Sequence, residues 1–323
     1  MNQTGANPPK LVGDIGGTNA RFALSGSNGI EQTAILACRD FPTLTHALKH
    51  YLSRIEGPRP RAAALAVAGP VTGDQVALTN LNWTFSTEAV RDEVRLDLLV
   101  ILNDFRALAL ALPHLEPNHL VSVGPTDSAA RGDAPRLIVG PGTGLGVAAL
   151  VPSTSGWVPV SGEGGHISFA PQNEREDRIL VWFRNQVNGR VSIERLVSGP
   201  GLESLYRAMG DIEGTPREPL SAQAITEAAL AGDPDAAACL NQFCAIFGSV
   251  AGDLALAFGA LGGVYLGGGM IPRFLDFFAA SPFRRRFEDK GRMSQLAAQI
   301  PTQVIAVETP ALLGTAAALD SLI

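Results

Sequence analysis

Asp14 stands inside a glycine-rich reversal, Gly13, Asp14, Ile15, Gly16, Gly17 and Thr18, with Asn19 behind it. Consecutive glycines permit positive φ and let backbone N–H groups reach a ligand with no Cβ in the way, which is how chains cradle phosphate oxygens. A carboxylate in such a cradle repels phosphate unless a divalent cation lies between them, so Asp14 in this pattern points to a divalent cation beside bound phosphates. A hairpin with a surface Asp is the alternative. Asn103 and Asp104 close a continuous apolar run, LDLLVIL, where a carboxylate can take the proton from a hydroxyl or simply cap the helix that follows. Glu163 and His166 flank two glycines in SGEGGHISFAP, and Glu194 opens ERLVSGPGL. Carboxylates accept hydrogen bonds and imidazoles donate or accept them, the inventory that a polyhydroxylated ligand needs. Taken alone, Glu194 reads as an ordinary surface residue.

Those residues must be positioned by the elements around them. LVGDIGGTNARFAL, from Leu11 to Leu24, reads as strand, tight turn, strand. RLIVGPGTGLGVAAL, ending at Leu150, repeats its apolar entry, glycine-rich reversal and apolar exit, with Gly142, Thr143 and Gly144 in the turn and Pro141 where the first copy has Asp14. A metal role therefore belongs to the first copy only. Two such units more than a hundred residues apart predict two related α/β domains that present phosphate-facing hairpins to a shared cleft. Arg61 to Ala68 has the composition of a buried strand, and the run from Leu96 predicts a strand covered on both faces that turns into a helix near Phe105. Further helices are expected over Thr43 to Ile55, Asn173 to Asn188, after Ser221 and from Pro234 toward Gly259, with Thr309-Pro310 capping the last. GGVYLGGGMIPR reads as a short buried strand whose three following glycines allow close approach to a flat ring such as a nucleobase.

Composition excludes several classes. The 323-residue chain carries a formal net charge of −6, which argues against a general nucleic-acid or anionic-membrane surface. Only three lysines occur, followed by Leu11, His50 and Gly291, so no P-loop Lys-Ser/Thr is present. No G-x-G-x-x-G is found. Cys38, Cys239 and Cys244 form neither a disulfide framework nor a C-x-x-C metal pair, and no apolar run approaches the roughly 18 residues of a membrane span. His46 and His50, one helical turn apart, lack a third ligand and read as surface residues. A cytoplasmic protein with a short flexible N-terminal tail over residues 1–9 is expected.

DIGGTNAR, LNDF, GTGLG, GEGGH, ERLVSGPGL and YLGGGMIPR occur in an order that resembles the bacterial ATP-dependent glucokinase family over nearly the whole chain. The resemblance implies a two-domain α/β fold of the actin-like, ribonuclease-H-like ATPase type with a cleft between domains. It implies a small domain over residues 10–114 with 305–323 and a large one over 115–304. It further implies ATP-dependent phosphorylation of the glucose 6-hydroxyl at the entry to glycolysis, with Asp104 as base. Asn103, Glu163, His166 and Glu194 would hold the other hydroxyls. Gly13 to Thr18 and Gly142, Thr143 and Gly144 would hold ATP, and Mg2+ would sit at Asp14. A homodimer is left open. An amino-sugar kinase of the broader superfamily would carry a Cys-rich zinc motif after the His, but ISFAPQNERE follows His166. A non-enzymatic actin-like nucleotide switch would need neither Asn103-Asp104 nor the Glu and His residues.

Overall fold

The computed structural model describes residues 8–78, 81–125 and 130–322. Residues 1–7 of the expected tail lie outside them. Contacts divide the chain into two units, Met1–Glu116 with Val307–Ile323, and Pro117–Ala306.

In the first unit, β1 (Lys10–Ile15), β2 (Asn19–Gly26) and β3 (Gly29–Ala37) form an antiparallel meander, and β4 (Ala62–Val67) and β7 (Leu98–Asn103) extend it in parallel, giving the order β3-β2-β1-β4-β7. A two-stranded ribbon, β5 (Gln75–Ala77) with β6 (Thr84–Ser86), lies between β4 and β7 in the chain. The strands alternate with the period of two that a sheet imposes. Leu11, Ile15, Leu65 and Val67 pack with α1 (Leu44–Leu52) and α2 (Thr87–Val94), whereas Val12 and Ala64 pack with Leu312, Ala316 and Leu319 of the C-terminal helix Pro310–Asp320. Asp14 is two residues beyond Val12, so it shares the face that the C-terminal helix covers. Ser86 caps α2 by accepting from the Ala89 N–H at 3.1 Å. Thr309 precedes the C-terminal helix but its side chain makes no cap bond; Pro at the first turn starts that helix instead.

The second unit repeats the plan. β9 (Arg136–Pro141), β10 (Leu145–Ser153) and β11 (Gly156–Gly162) are an antiparallel meander, and β12 (Val264–Leu266) and β13 (Thr302–Ile305) extend it in parallel. β8 (Leu120–Ser122) adds an antiparallel edge, giving β11-β10-β9-β12-β13-β8. Five strands in one order and one set of directions thus occur twice, and each meander begins with a glycine-turn hairpin. The internal repeat read from two short stretches is a repeat of whole sheets.

Helices α4 (Glu174–Val187), α5 (Gly199–Glu213), α6 (Ala222–Leu230) and α7 (Pro234–Phe258) bury the second sheet's apolar residues, with Phe243, Phe247, Phe278, Phe283 and Phe287 among the fully enclosed rings. By length and composition α7 is apolar enough to cross a membrane, which the sequence pattern did not suggest; 83% of that stretch is buried within the fold. Charged side chains are buried here as well, Glu176 and Arg284 among them. Glu176 is fully buried on α4, where Arg286 grips it at 2.7 and 3.1 Å, Gln242 donates at 3.0 Å and the Gln172 N–H at 2.8 Å. Burial alone would raise its pKa, but the hydrogen bonds and charge of Arg286 hold it below the usual carboxylate range.

Candidate active site

In the first unit Asp14 and Asn103 end up at the carboxyl ends of parallel strands, with β4 between β1 and β7. Ligands of open α/β sheets bind at such strand ends. Asn103, not Asp104, is the N-cap of α3 (Asp104–Ala111): its Oδ1 accepts from the Phe105 N–H at 3.0 Å and the Arg106 N–H at 3.2 Å. Its Nδ2 donates to the Gly69 carbonyl at 3.2 Å and to Asp104 Oδ1 at 3.0 Å. Asp104 Oδ1 also accepts from the Phe105 N–H at 2.9 Å. The cap reading of Asp104 thus passes to its neighbour, and Oδ2 of Asp104 accepts no hydrogen bond among the described residues.

Electrostatics separate Asp104 from an ordinary carboxylate. Burial pushes its pKa up to about 6, the Phe105 N–H works against that rise, and the nearby charge of Asp14 adds to it. Asp14 is raised as well, by burial, against the lowering charge of Arg21. Arg21 Nη1 lies 3.5 Å from Asp14 Oδ2 on the paired strand, too far for a strong bond. Two carboxylates that each resist ionisation stand near one another, a configuration that a cation relieves.

The two glycine turns are equal in length, Gly16 to Thr18 and Gly142 to Gly144. The Gly16 N–H bonds the Asn19 carbonyl at 3.0 Å, and the Gly142 N–H the Gly144 carbonyl at 2.7 Å. The positive φ expected of the paired glycines is not adopted at Gly16, nor at Gly142 or Gly144. The reasons for glycine differ by position. Gly13 is packed in: a Cβ there would lie 2.6 Å from Leu65 and 3.0 Å from Phe22. A Cβ on Gly16 would make only an ordinary 3.5 Å contact, and one on Gly142 would meet nothing within 4 Å. The fold does not itself require glycine at those two positions. Ile15 points into the core and offers a ligand only backbone, while Gly17 and Thr18 are exposed.

In the second unit the GEGGH loop and the ERLVSG segment are stitched together. Phe169 and Ile193 N–H groups bond the Val191 and Ile167 carbonyls at 3.0 and 2.9 Å around a Ser168–Ser192 bridge. Gly164 and Gly165 let the loop sit against Val147 and Leu145. Glu194 is half-buried, and its Oε2 accepts from the Leu145 N–H at 2.9 Å while its carboxyl lies over Gly144. The residue that reads as surface from sequence is therefore tied to the second glycine turn. Thr143, His166 and Glu194 line one pocket of about 530 Å³; Glu163 is exposed on the same loop but outside that lining. Sequence reasoning missed Arg190, whose Nη1 donates to the His166 carbonyl at 2.6 Å, and nothing local in its surroundings signals that contact. The GGG run, read as allowing close approach to a flat ring, packs in part against its own chain: a Cβ on Gly268, at φ 83°, would lie 2.6 Å from the Pro141 carbonyl, and the Gly267 N–H bonds the Val139 carbonyl at 3.0 Å. Gly268 and Gly269 are exposed, and a Cβ on Gly269 would meet nothing within 4 Å.

A family model described as glucokinase matches residues 11–322. A glucokinase of Chromobacterium violaceum is 50% identical over 312 residues, covering 96% of this chain and 88% of the relative. The crystal structure of a glucokinase from an Antarctic psychrotroph matches at 41% identity with a TM-score of 0.88, over 97% of this chain and 98% of that one. A ROK family glucokinase from Streptomyces griseus, solved with glucose and AMPPNP, shares the fold at 21% identity and a TM-score of 0.58, over 95% and 98% of the two chains. Paired sheets of one order, each opening on a glycine turn, together with these structural matches, define a sugar kinase of the actin-like ATPase fold. Within that class the family match over nearly the whole length is specific, and the chain belongs to the glucokinase family.

Proposed function

We propose that the chain transfers the terminal phosphoryl group of ATP to the 6-hydroxyl of glucose, with Asp104 as the general base. The observation that carries the assignment of the base is the state of Asp104: one oxygen fixed by Asn103 and the Phe105 N–H, the other unbonded among the described residues, and a pKa raised to about 6. Such a group is ionised at neutral pH yet more basic than an ordinary carboxylate, which suits proton removal from an alcohol. Phosphoryl transfer asks mainly for positioning and charge neutralisation. Asn103, Glu163, His166 and Glu194 hold the remaining sugar hydroxyls, and the turns around Gly16 to Thr18 and Gly142 to Gly144 take the nucleotide. Glycines at 16 and 142 that the fold does not need support that reading. A coupled assay of ADP formation against a panel of hexoses tests the function; ADP release that does not depend on glucose overturns it.

Mg2+ fits the first turn. Asp14 and Asp104 are close enough for the charge of one to raise the pKa of the other, and among the described residues no group of three or more His, Cys, Asp and Glu could form an all-protein cage. Mg2+ is commonly held by one or two carboxylates with water and substrate phosphates completing the shell. Asp14 would hold it, and the ion would supply neutralisation of the phosphate charge. Asp14→Ala is expected to raise the Mg2+ concentration for half activity by about tenfold or more, with glucose affinity little changed. An unmoved Mg2+ titration returns Asp14 to a turn residue.

The sugar cluster makes a separate prediction. In Glu194→Gln the side-chain carbonyl can still accept from the Leu145 N–H, so the turn is preserved while the charge is lost. Glucose affinity is expected to fall roughly 10- to 100-fold, from about 1–3 kcal/mol of lost polar interaction, and ATP affinity measured without sugar is expected to stay the same. Calorimetry on the folded variant decides, and wild-type glucose affinity removes Glu194 from the site. We place the protein in the cytoplasm, a reading supported by three buried cysteines that all remain free thiols.

A further inference from the structure

The pocket that contains His166 and Glu194 is also lined by Arg190, Arg195 and Arg207, with Ser192, Ser198 and Ser204 on its wall and Trp182 and Phe183 among its apolar lining. Most arginines of this unit that approach a carboxylate are committed to it, such as Arg217 to Glu213 and Asp235, Arg284 to Glu288, and Arg286 to Glu176. Arg190, Arg195 and Arg207 form no ion pair among the described residues. Arg190 bonds the His166 carbonyl, Arg207 lies 6.0 Å from the centroid of the Trp182 ring, and Arg195 is exposed. Glu194 is the only carboxylate in the lining, and one of its oxygens is already bonded to the Leu145 N–H. Three guanidinium groups against one carboxylate leave the pocket cationic, and guanidinium forks match phosphate oxygens in geometry as well as charge. At about 530 Å³ it has the size of a small-molecule site.

We propose that this arginine-lined pocket holds an anion subsite that takes a phosphate group, free or carried on a small sugar, and that its occupancy antagonises glucose because the pocket shares His166 and Glu194. The second half of the proposal rests on the assignment of those two residues to the sugar. A neutral sugar gives three unpaired arginines no charge to meet, whereas a phosphorylated one can place its hydroxyls on His166 and Glu194 and its phosphate on the guanidinium groups. The enzyme would then sense the phosphorylated sugar pool that it feeds.

The test compares the wild type with Arg195→Gln and Arg207→Gln, neither of which is assigned to sugar, nucleotide or catalysis. Inorganic phosphate and glucose 6-phosphate are titrated by calorimetry into ATP-free protein, and each is added to initial-rate assays at constant ionic strength held with chloride. Phosphate is expected to bind the wild type and to raise the apparent KM for glucose several-fold. Each variant is expected to weaken phosphate binding at least fivefold while keeping the phosphate-free KM and kcat. If inorganic phosphate is inert and glucose 6-phosphate binds with arginine dependence, the source is the sugar phosphate. Equal glucose 6-phosphate binding in wild type and variants, with no phosphate binding, identifies product at the catalytic site alone and overturns the subsite. Arginine-dependent phosphate binding that leaves glucose affinity untouched upholds the subsite and instead overturns the placing of glucose on His166 and Glu194.

Discussion

Asp104→Asn lowers kcat by at least about a hundredfold, the lower end of what a positioned general base contributes, and leaves the affinity for ATP close to that of the wild type. The asparagine carbonyl can keep the hydrogen bonds that Oδ1 receives from Asn103 and Phe105, so α3 keeps its start and only the proton acceptor is lost. In the wild type, kcat/KM falls about tenfold per pH unit below the pKa of about 6, and that acid limb disappears with the variant's residual activity. Stability moves the other way. The folded-state pKa lies above the unfolded value near 4, so the fold favours the neutral form, and the contribution present below pH 4 is lost as the pH rises through about 6. Ionised Asp104 therefore costs the fold at pH 8, with a ceiling of about 3 kcal/mol from roughly two pKa units at 1.4 kcal/mol each. Asparagine stays neutral, so the variant's thermal midpoint rises at pH 8 and the gain shrinks toward pH 4. Near-normal turnover, or a stability change without pH dependence, removes Asp104 from the role of a strained base.

Much of this site was legible because its signals are local. The reversal at Gly16 to Thr18, its copy at Gly142 to Gly144 and the strand-to-helix passage at Asn103 each lie within a dozen residues, where alternation and turn chemistry act. What extends the hairpins into sheets of five and six strands was not legible, since β1 pairs with β4 and β9 with β12 across long intervening segments and parallel pairing leaves no short-range mark. Glu194 looked like surface because its partner, Leu145, is 49 residues away. Glu176 sits on the helix expected over Asn173 to Asn188, and the charge that offsets its own inside the core comes from Arg286, 110 residues away. The GGG run after Leu266 shows the same limit: glycine announces a close approach but not what approaches, and at Gly268 one neighbour is the chain's own β9.

Gly314 is the clearest case of a residue whose meaning is wholly tertiary, and Gly314→Ala carries the largest expected loss of stability. In sequence it is a helix-interior glycine, and propensity alone says that alanine should stabilise by about 0.5–1 kcal/mol. In the structure the C-terminal helix crosses α3 so closely that a Cβ on Gly314 would overlap the carbonyl oxygen of Ala107 and come within 3.1 Å of the Ala111 N–H nitrogen. Both are backbone atoms of a helix, so no side-chain rotation relieves the clash and the two helices must separate. Overpacking typically costs about 1–3 kcal/mol, and occasionally more; a backbone obstacle belongs at the top of that range, so the clash outweighs the propensity gain. Separation has a second consequence, because α3 begins at Asp104 and any displacement of the helix moves the base. The variant is expected to lose about 2–3 kcal/mol in denaturant unfolding and to show a lower kcat with the ATP KM little changed. A thermal midpoint equal to or above that of the wild type would mean that propensity governs this position and that the helices do not meet this closely.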